Sequence, residues 1–142
     1  MKRVSLVLAA VAVTLIFVSA ASAAIRITKV QYDSPGSDTG SNSSLNAEWV
    51  KIKNTGSHAK TLTGWTLRDT SSHVYHFGSF RLGAGSSVQV HTGSGSNTRH
   101  DRYWGSGWYV WNNTGDTAKL KNRSGRLIDR CSWGDGSGVK YC

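Results

Sequence analysis

Apolar and polar side chains alternate within the stretch Glu48-Trp49-Val50-Lys51-Ile52-Lys53-Asn54. Val50 and Ile52 are expected on one face of an extended strand, and Lys51 and Lys53 on the other. A period of two is typical of a strand that is buried on one side and exposed to solvent on the other. The turn-forming residues Thr, Gly and Ser come next. The stretch therefore predicts a half-buried β-strand that ends in a turn.

Similar short stretches recur along the chain, separated by clusters of Gly, Ser, Asn and Asp about every eight to twelve residues. No helical period of about 3.6 residues follows residue 24. The pattern predicts an all-β sandwich or barrel with about seven or eight strands. The predicted strands are 25–32, 48–54, 62–69, 74–77 with 80–82 as an extension, 87–91, 108–111, 118–121 and 126–130.

Three local features refine these strands. The first strand changes phase near Lys29, because its apolar positions are 25 and 27 before that point and 30 and 32 after it, which predicts a β-bulge. Trp65 and Leu67 are two residues apart and are expected to share the buried face, with Gly64 leaving space beside the large ring. Asp69 is expected at a strand end, where its carboxylate accepts hydrogen bonds from turn N–H groups.

Glu48 shares the phase of the apolar residues Val50 and Ile52. Its carboxylate is therefore predicted either to point inward near the sheet edge or to remain solvated at the strand end. A buried carboxylate needs a partner. Arg68 and Arg126 are the candidate partners, and the sequence does not choose between them.

The first 23 residues have the pattern of a secretory signal peptide. A basic start, Lys2-Arg3, precedes the run Val4–Val18, which is apolar apart from one Ser and one Thr. Ala21-Ser22-Ala23 then supplies the small residues that a signal peptidase requires. The apolar run is shorter than the about 20 residues of a bilayer span. We expect residues 1–23 to be removed and residues 24–142 to form one exported domain.

The composition is that of a small basic protein. The 142 residues include 17 Lys and Arg against 8 Asp and Glu, which gives a formal net charge of +9. This length is too small for a large cofactor-binding enzyme, and we expect no cofactor. Outside the cell such a charge would attract polyanions at low salt, for example teichoic-type polymers, acidic lipids or extracellular DNA.

Cys131 and Cys142 are the only cysteines. Export makes a disulfide chemically available, and only one pairing exists. The bond would close a loop of about a dozen residues and stabilise the fold by about 2–3 kcal/mol. A pair of thiols at a metal or redox site is the alternative, which the lack of a nearby His disfavours.

Longer motifs follow one another in a characteristic order. They are Glu48–Gly56 (E-W-V-K-I-K-N-T-G), Leu62–Asp69 (L-T-G-W-T-L-R-D), Leu82–Gly93 and Trp111–Leu120 (W-N-N-T-G-D-T-A-K-L). In order and spacing they resemble the lamin tail domain family, in its bacterial secreted form, from about Ile25 to Trp133. The resemblance implies an immunoglobulin-like β-sandwich of about seven to nine strands. It also implies an adaptor or tethering module without catalysis and without a uniform ligand.

Basic residues are the leading candidates for a binding surface. Lys119 and Lys121 alternate with Ala118 and Leu120 and are predicted to face outward. Such charges could contact an anionic envelope polymer, nucleic acid or a protein partner, although charged runs also serve simply to keep a surface soluble. The candidate binding residues are Lys51, Lys53, Lys119, Lys121, Arg123, Arg126 and Arg130.

The six tryptophans support an alternative function, that of a carbohydrate-binding module. Trp49 is out of phase with Val50 and is expected at the surface. An exposed ring can stack on a sugar, whereas core packing is the usual role of such side chains. The candidate platform consists of Trp49, Trp104 and Trp108.

No catalytic or metal-binding constellation is predicted. His73 and His76 are three residues apart in a strand and so face opposite sides, and His91 lies further along the chain. His100-Asp101 has the residue types of an acid–base pair, but it lies in a polar loop without an acidic cluster. A small secreted hydrolase or nuclease is therefore a remote alternative. We expect a monomeric, non-enzymatic protein that is secreted or held at the cell surface without a membrane span.

Overall fold

The computed structural model describes residues 24–142. The predicted signal peptide, residues 1–23, lies outside the described residues. The elements of the described part are β1 (Ile25–Gln31), α1 (Asn42–Asn46), β2 (Trp49–Asn54), β3 (Lys60–Thr61), β4 (Thr66–Arg68), β5 (Val74–His76), β6 (Arg81–Leu82), β7 (Ser87–His91), β8 (Asp101–Tyr103), β9 (Gly115–Lys121), β10 (Leu127–Gly134) and β11 (Val139–Tyr141).

Nine of these strands form two large sheets. One sheet has five strands in the order β11-β1-β2-β7-β8, and the other has four in the order β10-β9-β4-β5. The short strands β3 and β6 pair with each other. The pairing of β7 with β8 is parallel, and the other pairings described are antiparallel. The prediction of an all-β sandwich is confirmed.

The core is built from the inward-facing residues of both large sheets. In β2 the buried Val50 and Ile52 alternate with Lys51 and Lys53, as predicted. The same alternation runs through β9 in the other sheet. Each fully buried Val, Leu or Ile contributes about 1.5–3 kcal/mol relative to an exposed position. Alternation therefore fixes which face of each sheet remains available for binding.

Two predictions about individual strands are confirmed. The register of β1 against β2 shifts between Ile27 and Lys29, at the position where the apolar phase changes. Trp65 and Leu67 both lie in the core, with exposed fractions of 7% and 0%. A bulge lets β1 keep apolar side chains inward on both sides of the shift.

The predicted strand 62–69 is interrupted by a turn. Gly64 has a φ of 79°, a left-handed conformation that favours glycine. Gly64 thus makes a turn between β3 and β4, and the side chain that packs over it is that of Arg123. After β4, Asp69 Oδ1 accepts hydrogen bonds from the backbone N–H groups of Ser71 and His73, each at 3.0 Å, which confirms its predicted role.

The predicted strand 108–111 is wrong. Its residues pair with no other strand in the described part of the chain. The N–H groups of Val110 and Trp111 instead donate to the carboxylate of Glu48. Further differences are the short helix α1, between the first two predicted strands, and the additional strands β8 and β11.

The predicted disulfide is present between Cys131 and Cys142, whose Cα atoms are 5.9 Å apart. The backbone N–H of Cys142 also donates to the carbonyl of Thr28, at 3.0 Å. The last residue is therefore attached both to β10 of the four-stranded sheet and to β1 of the five-stranded sheet.

Candidate binding surface

Three cations form a row across the outer face of the four-stranded sheet. Lys119 of β9 lies opposite Arg130 of β10 on one side and Arg68 of β4 on the other. Lys119 points outward because its neighbours Ala118 and Leu120 are fully buried. Neighbouring strands are about 4.8 Å apart, so the backbone positions of these three cationic residues span about 10 Å across the sheet.

Further cations extend this row along β9 and into the turn that follows. Lys121 lies in the next outward position and is opposite Thr66. In the turn, the side-chain Oδ1 of Asn122 accepts hydrogen bonds from the N–H groups of residues 124 and 126, each at 3.0 Å, which fixes the turn backbone. We call the whole set the basic face; it comprises Arg68, Lys119, Lys121, Arg123, Arg126 and Arg130.

The carboxylates near the basic face are occupied by other donors. Asp116 accepts the backbone N–H of Thr70 at 3.0 Å, and Asp129 accepts that of Ile27 at 2.8 Å. Among the described residues, no member of the basic face forms an ion pair with a carboxylate within 4 Å. The positive charges of this face are therefore available to a partner.

Lys51 and Lys53 lie on a different surface from the rest of the predicted set. Both project from β2 on the outer face of the five-stranded sheet, where Lys51 lies between Lys29 and Gln89. The two sheets pack against each other through their inner faces. The structure therefore separates Lys51 and Lys53 from Lys119, Lys121, Arg123, Arg126 and Arg130, which share the opposite side of the sandwich.

The three candidate tryptophans are in three different surroundings. Trp104 is partly buried and packs against the core, with its ring centroid 5.8 Å from that of Trp111. Trp108 is 63% exposed and lies in a loop, 5.4 Å from the ring of Tyr109. Trp49 is half-buried on the outer face of the five-stranded sheet. They do not make one stacking platform.

Trp49 belongs instead to an aromatic row that the sequence did not reveal. It lies opposite His91 of β7, which lies opposite Tyr103 of β8. The rings of His91 and Tyr103 are stacked, with centroids 5.1 Å apart. The ammonium of Lys29 is 5.4 Å from the Trp49 ring. We call Trp49, His91 and Tyr103 the aromatic row.

Glu48 points inward and is fully buried, but neither of the predicted arginine partners binds it. Its Oε1 atom accepts three hydrogen bonds, from Thr92 Oγ1 at 2.8 Å, Val110 N at 3.0 Å and Trp111 N at 2.9 Å. Burial raises the pKa of Glu48 to about 7, and these three donors oppose the rise. This carboxylate binds the backbone N–H groups of Val110 and Trp111 and is not exposed to a ligand.

The histidines are bonded within the fold or lie at its surface. His91 contacts the carbonyl of Asn46 through Nδ1, at 2.8 Å, and the carboxylate of Asp101 through Nε2, at 2.9 Å. His73 contacts Asp69. Within residues 24–142, no group of three or more His, Cys, Asp and Glu side chains is placed to hold a metal ion. No helix in that range has the length and apolar character that crossing a bilayer requires.

A family model supports the relationship that the motifs suggested. The model of the lamin tail domain matches residues 18–135, which is most of the chain. The chain belongs to the lamin tail domain family. Its two-sheet architecture is the immunoglobulin-like sandwich of that family, and the assignment supports a module without enzymatic activity. A search of curated proteins finds no match.

In this lamin tail domain, the candidate surface includes one basic residue that the sequence analysis assigned to another role. Arg68 was a candidate partner of Glu48, whereas the structure places it beside Lys119 on the basic face. The available signal was its phase, because Arg68 follows the buried Leu67 and must point the other way. Strand order, which places β4 next to β9, was also needed.

Proposed function

We propose that the protein is a secreted, non-catalytic binding module that holds an anionic cell-envelope polymer against its basic face. The observation that carries the proposal is the row of Arg68, Lys119 and Arg130 on adjacent strands, without carboxylate partners among the described residues. A rigid sheet holds the backbone positions of the three residues at fixed spacing, so no backbone has to be ordered on binding. Repeated negative charges on a polymer complement such a row.

Export is part of the proposal. The signal-peptide pattern of residues 1–23 and the disulfide between Cys131 and Cys142 both support it, since disulfides persist in oxidising compartments. The test is to sequence the N-terminus of protein recovered from the culture medium or the cell surface. We expect the mature chain to begin at Ala24 and to behave as a monomer in light scattering. Retention of residues 1–23 on a cytosolic protein would contradict export.

Binding is tested with two charge-reversal variants on opposite sides of the sandwich. Lys119→Glu/Arg130→Glu changes the basic face, and Lys51→Glu/Lys53→Glu makes the same change in net charge on the other sheet. The probe is immobilised poly(glycerol phosphate), with neutral dextran as the control surface, and affinity is measured from about 50 mM to about 500 mM salt.

We expect the wild-type protein to bind the phosphate polymer and to lose affinity steeply as salt rises, because counterions are released on binding. The Lys119→Glu/Arg130→Glu variant should lose about tenfold or more, and the Lys51→Glu/Lys53→Glu variant markedly less. Equal losses would mean that net charge alone attracts the polymer, and salt-independent binding would exclude a charge-driven mechanism. Either result contradicts the proposed role of the basic face.

A second candidate function, glycan binding, is favoured by the aromatic row. Trp49 and Tyr103 lie on the same outer face with His91 between them, which is the arrangement that stacking on a sugar chain needs. Trp49→Ala should abolish binding to a glycan array, whereas Trp108→Ala should not. Loss in the Trp108→Ala variant alone would assign binding to the exposed loop and exclude the aromatic row.

A further inference from the structure

A groove between the β3–β6 pair and the edge strand β8 is lined by three arginines from separate parts of the chain. Arg81 comes from β6, Arg99 from the loop before β8, and Arg102 from β8 itself. The groove is open to solvent and has a volume of about 370 Å³. An open, shallow groove of this kind suits a small charged group better than a ligand that must be enclosed. We propose that this arginine groove binds a tetrahedral oxyanion, namely the phosphate or sulfate group of a ligand.

Arg102 is directed into the groove by the register of β8. It lies opposite Val90, a core residue, and therefore projects from the inner side of this edge strand. Its guanidinium lies over the ring of Phe80, 4.1 Å from the centroid. Its Nε atom is buried and has no hydrogen-bond partner among the described residues. Phe80 thus holds the planar group in place, and a planar fork of N–H donors suits an oxyanion.

The carboxylate next to Arg102 in the sequence is kept away from the groove. Asp101 lies opposite Gln89 and faces the outer side of the sheet. Its two oxygens contact His91 Nε2 at 2.9 Å and Thr98 Oγ1 at 3.3 Å. Within the described chain, Arg81, Arg99 and Arg102 form no ion pair with a carboxylate. The groove therefore keeps its positive charge.

Arg99 is carried by a loop with a defined backbone. Thr98 Oγ1 accepts the N–H groups of His100 and Asp101, at 3.1 and 3.0 Å, and Thr98 N donates to the carbonyl of Asp101 at 2.8 Å. The carbonyl of His100 in turn accepts the N–H of Gln89, at 2.8 Å. These bonds attach the loop to β7 and place Arg99 across the groove from the β3–β6 pair.

Hydroxyl groups complete the lining of the groove. Thr61 lies opposite Arg81 in the β3–β6 pair, and Thr63 and Ser79 lie beside them. Thr63 Oγ1 accepts the N–H of Phe80 at 3.1 Å, which leaves its own proton free to donate. Guanidinium and hydroxyl donors together, without an acidic side chain in the lining, select an anion with several acceptor oxygens.

A purely structural role explains only part of this arrangement. A charged side chain on the inner side of an edge strand can protect that edge from pairing with another chain, and Arg102 fits this description. Arg81 and Arg99 are exposed and lie outside β8, so edge protection does not account for them. The inference does not rest on the proposed function, because the groove is separate from the basic face.

The experiment is an NMR titration of the purified protein with inorganic phosphate, sulfate and acetate at constant ionic strength. We expect saturable shifts at the amides around Arg81, Arg99 and Arg102 for phosphate and sulfate, with acetate at least about fivefold weaker. The tetrahedral anion that binds more tightly indicates whether a phosphate or a sulfate ester is the natural group. Linear shifts spread over all basic surfaces, or acetate equal to phosphate, would overturn the proposal.

Variants test the assignment to these arginines. Arg81→Gln and Arg99→Gln affect exposed side chains, so both proteins should fold, and each should weaken phosphate binding about tenfold. The matched control is Lys140→Gln, which removes one charge on β11 at the opposite edge of the five-stranded sheet. It should change affinity less than about twofold. An equal loss in Lys140→Gln would show that net charge, and not the groove, binds the anion.

Discussion

The Oε1 atom of Glu48 accepts a hydrogen bond from the backbone nitrogen of Trp111, 2.9 Å away, across 63 residues of the chain. The same oxygen accepts the neighbouring N–H of Val110. Segment 108–111 has no strand partner in the described part of the fold. The carboxylate of Glu48 therefore accepts the buried N–H groups that a neighbouring strand would otherwise bind. Glu48 is thus a structural acceptor, and its contribution to stability can be measured.

Replacing Glu48 by alanine should lower the free energy of unfolding by about 3–5 kcal/mol, because the buried N–H groups of Val110 and Trp111 lose their acceptor. Glu48→Gln keeps a carbonyl oxygen and should cost less than half as much. Chemical denaturation of both variants measures the difference. If both variants cost less than about 1 kcal/mol, the carboxylate does not support this segment.

The pH dependence of stability should also carry the signature of Glu48. Burial raises its pKa from 4.5 to about 7, so between these values the folded chain keeps a proton that the unfolded chain releases. The contribution of Glu48 protonation to the free energy of unfolding is therefore complete below pH 4.5 and is lost as the pH rises to about 7. The loss is on the order of 3 kcal/mol.

The measurement compares unfolding of wild type and Glu48→Gln across that pH range, so that titrations common to both proteins cancel. We expect the difference in unfolding free energy to change with pH only between about 4.5 and 7. A difference that stays constant, or that favours the wild type as the pH rises, would contradict the raised pKa.

The disulfide should stabilise the fold by about 3 kcal/mol, given that Cys131 and Cys142 are 11 residues apart. The double variant Cys131→Ala/Cys142→Ala should unfold at correspondingly lower denaturant. Reducing agent should destabilise the wild-type protein by a similar amount and leave the double variant unchanged. Two free thiols in the native exported protein would show that the bond does not form.

Gly64→Ala should destabilise the protein by about 1–2 kcal/mol, since alanine disfavours the φ of 79° at this turn. A Cβ atom there would also lie 3.1 Å from Cγ of Arg123, a tight contact. Gly78→Ala is the matched control, because nothing lies within 4 Å of its would-be Cβ atom. We expect the control to lose less than about 0.5 kcal/mol of unfolding free energy. Thermal unfolding of the two variants under the same conditions measures the difference between them.

Much of the sheet structure could be predicted because its signals are local. Alternation in β2 and β9 identifies the buried face without knowledge of any partner strand. The change in the phase of the apolar positions near Lys29 likewise predicts the β-bulge. Segment 108–111 also alternates, yet its backbone is satisfied by a side chain distant in sequence, and no local pattern reveals such an acceptor.

The candidate site was less predictable, because its geometry depends on strand order. Lys51 and Lys119 both have outward phase, and only the assignment of β2 and β9 to different sheets shows that they lie on opposite sides. Similarly, Arg81, Arg99 and Arg102 come together through the position of β8 beside β7 in parallel. Pairings between distant segments determine both arrangements, and these pairings cannot be predicted from the amino-acid composition.

The pairing of β1 with β11 has a consequence for self-association. β1 hydrogen-bonds to β11, with Lys29 opposite Tyr141. β11 therefore covers backbone groups of β1 that would otherwise offer a template to another chain, and the edge that remains is only three residues long and carries Lys140. Short edge strands that carry lysine resist the addition of a further strand, so this pairing protects one side of the five-stranded sheet from aggregation.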